Sequence, residues 1–130
     1  MVCRVFVSGG HAASLRAANY AQTLGIKYTS AVTFAFDSAE AQRMQFEWAA
    51  LGTDLPLEID EAHFRDIGDP LLRYVRELTA DPDVVVSVIL PEIAVSGLSR
   101  VLHNQRALYL KRLLLFEPRV ILSSVPYQLG

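Results

Sequence analysis

Short apolar runs rich in β-branched residues alternate along this chain with longer stretches whose apolar positions recur every three to four residues. The first run, Val2 to Ser8, predicts a strand, and Gly9-Gly10 after it supplies a tight turn. A helix is then expected from Ala12 to Leu24, with Leu15, Ala18, Ala21 and Leu24 as its buried stripe and Gly25 as its stop. Lys27 to Phe36 reads as a second strand. Asp37 with Glu40 three positions later is a capping-box signal, so a second helix runs from there to Leu51, closed by Gly52. Leu55 to Asp60 predicts a short third strand. Asp69-Pro70 predicts an N-cap followed by proline at the first helical position, and Leu71, Leu72, Val75 and Leu78 mark the packed side of that helix. The continuous run Val84 to Leu90 has the composition of a central parallel strand covered on both faces, ended by Pro91. A long fourth helix from Ser96 to Leu115 and a last strand, Val120 to Val125, complete the series.

Strands alternating with helices at these spacings predict an α/β fold, a doubly wound parallel sheet of five strands with four helices in a single domain spanning 1–130. Ligands of such sheets sit beyond the carboxyl ends of the strands. That places the candidate site among three segments: Ser8 to Ser14, Phe34 to Asp37, and Pro91 to Asn104.

Composition narrows the class. The 130 residues are 52 % apolar with a formal charge of −2, which suits a folded domain with a core and does not suit disorder. Val84 to Leu90, itself broken by Ser87, is far short of the roughly 18 apolar residues of a membrane span. Cys3 is the single cysteine, so no disulfide scaffold forms within the chain, and a reducing compartment is expected. Met1 to Val5 contain no signal or transit pattern.

A more specific resemblance lies in particular stretches. Arg4-Val5-Phe6-Val7 through Ser14-Leu15-Arg16-Ala17-Ala18-Asn19-Tyr20-Ala21 resembles the opening of the universal stress protein family. Pro91-Glu92, Leu102-His103-Asn104-Gln105, Arg112-Leu113-Leu114-Leu115-Phe116 and Ser124-Val125-Pro126-Tyr127-Gln128-Leu129 resemble the cytoplasmic C-terminal domain of actinobacterial permeases of the amino acid/polyamine/organocation superfamily. Related KimA-type potassium importers carry a similar domain implicated in sensing cyclic di-AMP. The resemblance implies strand order 3-2-1-4-5, a regulatory domain excised from a longer transporter, a transmembrane partner domain and a place on the cytoplasmic side of the plasma membrane. It also implies an adenine nucleotide such as cyclic di-AMP as ligand, with no resident cofactor.

The chain departs from the ATP-binding members of the stress protein family. Ser8 or Gly9 stands where they carry an Asp, and Pro91-Glu92-Ile93-Ala94-Val95-Ser96-Gly97 has one glycine in place of a phosphate-cradling set. A nucleotide is then held by side chains or across a dimer. The ligand contacts expected are Gly9, Gly10 and His11 in the first loop, Phe34 and Phe36 beside a base, and Arg100, His103 and Asn104 for phosphate. Arg100, Arg106, Lys111 and Arg112 give Ile93 to Phe116 a charge of +4, leaving −6 on the remainder. Arg100, Asn104 and Lys111 share one helical stripe, which equally fits an acidic membrane surface or a solvated face packed by aliphatic stems.

Other chemistry finds little support. Three isolated histidines with one cysteine match no metal spacing, and Cys3 reads as a small buried apolar side chain. No nucleophile elbow or oriented triad accompanies Ser8, His11, Asp37 or Glu92, so catalysis is not expected. Phe46 and Trp48 lack the interleaved basic residues of a nucleic-acid platform. The uncharged last strand, Val120 to Val125, invites edge pairing, and a homodimer through it is expected both on that ground and from the resemblance. The competing readings are a ligand-free dimerisation module and a free-standing stress protein.

Overall fold

The computed structural model describes residues 1–7, 12–61, 68–94 and 111–128. The described elements are β1 (Val2–Phe6), α1 (Ala12–Thr23), β2 (Tyr28–Ala35), α2 (Ser38–Ala50), β3 (Leu57–Glu61), α3 (Gly68–Thr79), β4 (Val86–Ala94), α4 (residues 111–115) and β5 (Val120–Gln128). The five strands are all parallel in the order β3-β2-β1-β4-β5, as expected. Strand order reverses between β1 and β4, the switch point at whose carboxyl ends ligands of such sheets usually sit.

Parallel register sorts the side chains into two faces. Cys3, Val5, Ala31 and Ile89 point to the side covered by α1 and α2, while Phe6, Val32, Val86 and Val88 meet Leu71 and Val75 of α3 and Leu114 of α4 on the other. Val86, Val88 and Ile89 are fully buried, the two-sided covering that a continuous apolar run signals.

Local chemistry accounts for most element ends. Asp37 is extended, φ −151°, and its Oδ1 accepts the Glu40 N–H at 2.8 Å, while Glu40 Oε2 accepts the Phe36 N–H at 3.0 Å. Gly25 and Gly52, at φ +68° and +70°, turn the chain after α1 and α2 through the left-handed region where a Cβ is unfavourable. Arg119 adopts the same region, φ +61°, at a cost of about 1–2 kcal/mol for a side chain with a Cβ.

Four expectations are corrected. α3 begins at Gly68, so Asp69 lies inside the helix and Pro70 in its first turn, where a missing N–H leaves no intrahelical bond unmade. The buried face of α1 is Ala13, Ser14, Ala17, Ala18 and Ala21; small side chains let the helix sit close to the sheet. Leu24 lies past the last helical residue and is 40 % exposed, so it no longer follows the stripe. Pro91 does not end β4, which runs on to Ala94 paired with β5 up to Gln128. The Val2 N–H donates to Val85 O at 2.9 Å, so by alternation residue 91 also faces β1, whose ladder with β4 stops at Ile89. The N–H that proline lacks thus falls where no partner strand remains.

Candidate functional site

Of the residues expected to meet a ligand, Phe34 and Phe36 are described. Gly9, Gly10, His11, Arg100, His103 and Asn104 lie outside the described residues, as does the first part of the expected fourth helix. Phe34 is half-buried near the carboxyl end of β2, stacked on Phe6 with ring centroids 6.0 Å apart and planes 13° apart, and edge-on to Tyr74 at 6.5 Å. Tyr74 also meets Phe6 edge-on at 5.9 Å, so the three rings form one cluster. Phe36 is half-exposed at the end of β2, and its backbone N–H is held by Glu40. The two rings therefore differ: Phe34 belongs to a packed cluster, and Phe36 presents an open surface.

The first turns of α1 and α2 differ in the groups they carry. At α2 the carboxylates of Asp37 and Glu40 already occupy the first turn. At α1 the first turn carries no acid, and Ser14 within it is fully buried with an Oγ that meets no hydrogen-bond partner among the described residues. An unmatched buried hydroxyl costs about 1–3 kcal/mol, and serine is a poorer helix former than alanine. Ser14→Ala is therefore expected to raise the unfolding free energy of the ligand-free domain by about 1 kcal/mol in urea denaturation. A clear loss of stability would show that the hydroxyl is engaged after all.

Sequence reasoning missed a polar network beneath the ring cluster. Arg4 Nε donates to Tyr74 Oη at 2.9 Å, Tyr74 Oη donates to Glu58 Oε2 at 2.7 Å, and Arg4 Nη1 donates to the carbonyls of Cys3 and Tyr28 at 2.9 and 3.0 Å. Arg4 and Glu58 stand 3.8 Å apart, with the phenol bridging them. The available signal was Arg4 itself, a cation between Val2 and Phe6 on the inward face of a strand that must find a partner. Its partner on α3 was visible only once the fold brought residues 4, 58 and 74 together.

Burial, followed by the hydrogen bond to Glu58, pushes the Tyr74 pKa up to about 12, against the opposing influence of Arg4. The unfolded chain releases this proton near pH 10 and the fold retains it until about 12. Stability from this group is thus complete below pH 10 and falls by about 2–3 kcal/mol between 10 and 12, a slope that Tyr74→Phe flattens in pH-dependent denaturation. Cys3 acts in the same direction, because burial pushes its thiol above the ordinary value of 9.0; the difference between wild type and Tyr74→Phe isolates the phenol. A neutral, fully buried thiol is also not a nucleophile.

Among the described residues no group of three or more His, Cys, Asp or Glu could hold a metal, and no helix is long and apolar enough to cross a membrane. Trp48 is 5 % exposed in the core, whereas Phe46 on the same helix is 78 % exposed.

A five-stranded parallel sheet with helices on both faces and its reversal between β1 and β4 defines a doubly wound α/β domain. The family model for the KimA potassium transporter C-terminal domain matches residues 2–127, and the chain belongs to that family. A search of curated proteins finds no match.

Proposed function

We propose that this chain is the regulatory, non-catalytic domain of a KimA-type permease, placed on the cytoplasmic side of the membrane beside the transmembrane domain, and that it works as a homodimer responding to an adenine nucleotide such as cyclic di-AMP. The observation that carries this reading is the family match over residues 2–127 on a sheet whose strand order reverses between β1 and β4. Its mechanism is differential binding: a nucleotide biases the arrangement of two subunits, and so the transport unit, only by as much as it prefers one arrangement.

The two sheet edges support pairing through β5. β3, the other edge strand, carries Glu58 and Asp60, whereas the β5 sequence from Val120 to Gln128 contains no charge. Exposed apolar residues flank that second edge: Ile121 on β5, Leu115 and Phe116 at the end of α4, and Tyr20 and Leu24 of the α1 segment, which packs over β4 and β5.

Isothermal titration of the domain with cyclic di-AMP, ATP and cyclic AMP at near-physiological salt tests the sensor reading. Micromolar binding of one nucleotide, with one ligand per dimer or per subunit, is the expected result. No heat from any of them, with a dimer by light scattering, would sink the sensor and favour a ligand-free assembly module. The segment Pro91 to Gly97 favours that second reading, since it offers a single glycine and β4 continues through Ala94.

A further inference from the structure

The turn into β5 is built around two arginine contacts to α3. Arg76 in the last turn of α3 donates from Nε and Nη2 to Glu117 Oε1 at 3.1 and 2.8 Å. Arg119 donates from Nη2 to Thr79 O at 2.5 Å and from Nη1 to Asp81 O at 2.8 Å, capping carbonyls at the carboxyl end of that helix. The Arg119 carbonyl accepts the Val86 N–H at 2.9 Å, the first rung of the ladder between β4 and β5. One residue in a left-handed conformation thus caps α3 and launches the edge strand together. Elsewhere α3 packs through Leu71 and Val75 into the core cluster that Val120 and Leu122 also join, and Tyr74 ties it to Phe6 and Phe34 by ring contacts and to Arg4 and Glu58 by hydrogen bonds.

We propose that residues 117–119 form a clasp that makes α3 a lever, transmitting a displacement at the Phe34–Tyr74 ring cluster to the launch of edge strand β5. This deepens the regulatory reading above and rests on it for the consequence that a ligand beside β2 changes how two copies pair. The two states are a closed clasp, with the Arg119 guanidinium on the Thr79 and Asp81 carbonyls, and an open one, in which the guanidinium is released and residue 119 leaves its left-handed conformation. Coupling of this kind has a direct energetic readout in the opening of β5.

Hydrogen–deuterium exchange of the whole chain supplies that readout. Tyr74→Phe is expected to speed exchange in the peptide spanning 120–128 by about fivefold or more, although the hydrogen-bond and ring partners of Tyr74 sit on β1, β2 and β3, while the α2 peptide 38–50 is unchanged. Arg119→Gly, which keeps the backbone conformation without strain and removes the guanidinium, should speed exchange at 120–128 by itself. In the Arg119→Gly background Tyr74→Phe should then add less than twofold there. Glu117→Gln provides a second opening of the clasp that spares the backbone. Unchanged β5 exchange in Tyr74→Phe overturns the lever, as does equal acceleration at 38–50, which reports global opening. Sedimentation of the wild-type chain separates the two ideas: a monomer at every concentration refutes pairing, and the exchange result decides the clasp on its own.

Discussion

Trp48→Ala lowers the unfolding free energy by about 3–5 kcal/mol, a large share of the roughly 5–15 kcal/mol that holds a domain of this size. The indole is 5 % exposed within the core beneath α1 and α2, and its Nε1–H donates to Leu55 O at 2.8 Å. Truncation leaves a cavity and an unmatched carbonyl at once. Leu55 precedes β3, and the adjoining Pro56 carbonyl accepts the Ala31 N–H at 2.9 Å, so the indole fixes how β3 docks on β2. Trp48→Phe keeps much of the packing and loses mainly the hydrogen bond, so its cost should be about 1–2 kcal/mol. Because Trp48 is the single tryptophan, urea titrations of both variants are followed by circular dichroism. A loss under about 1.5 kcal/mol for the alanine variant would mean that β3 does not depend on this anchor.

Ser124→Pro is expected to raise the dissociation constant of the proposed homodimer at least tenfold, about 1.4 kcal/mol, while the subunit itself remains folded. Strand parity sets this outcome. The Arg119 carbonyl accepts from Val86 on β4, so residues 121, 123 and 125 also face β4, while 122, 124 and 126 turn their backbone groups outward. Pro126 already occupies an outward position, where the ladder loses nothing. Proline at 124 removes an edge donor available to a second copy and spares β4. Proline at 123 removes a rung inside the sheet, so Ser123→Pro should lower the melting temperature and Ser124→Pro should hardly move it. Sedimentation velocity across a concentration series reads the dimer; an unchanged association for Ser124→Pro places the interface elsewhere.

The alternation of elements and their punctuation were written locally. Gly25, Gly52 and the Asp37–Glu40 pair act through backbone conformation and hydrogen bonds within four residues, so they are readable without neighbours. The run Val84 to Leu90 likewise announced a strand covered twice, because only such a strand needs apolar residues at every position. Of the expected ligand set, the structure separates Phe34, engaged with Phe6 and Tyr74, from Phe36, which is open. Sequence periodicity cannot make that distinction, since both residues alternate onto one face and differ only in what packs there.

Sequence by itself thus determined the class of fold, the positions of most turns and the uncharged character of β5, all of which follow from short-range conformational preference and composition. Tertiary structure alone decided that Pro91 lies within a strand, because the cost of a missing donor depends on where the neighbouring strand ends. It alone joined Arg4 to Tyr74 and Glu58, and Arg119 to Thr79 and Asp81, because hydrogen bonds between residues 16 to 70 positions apart exist only after the chain has closed on itself.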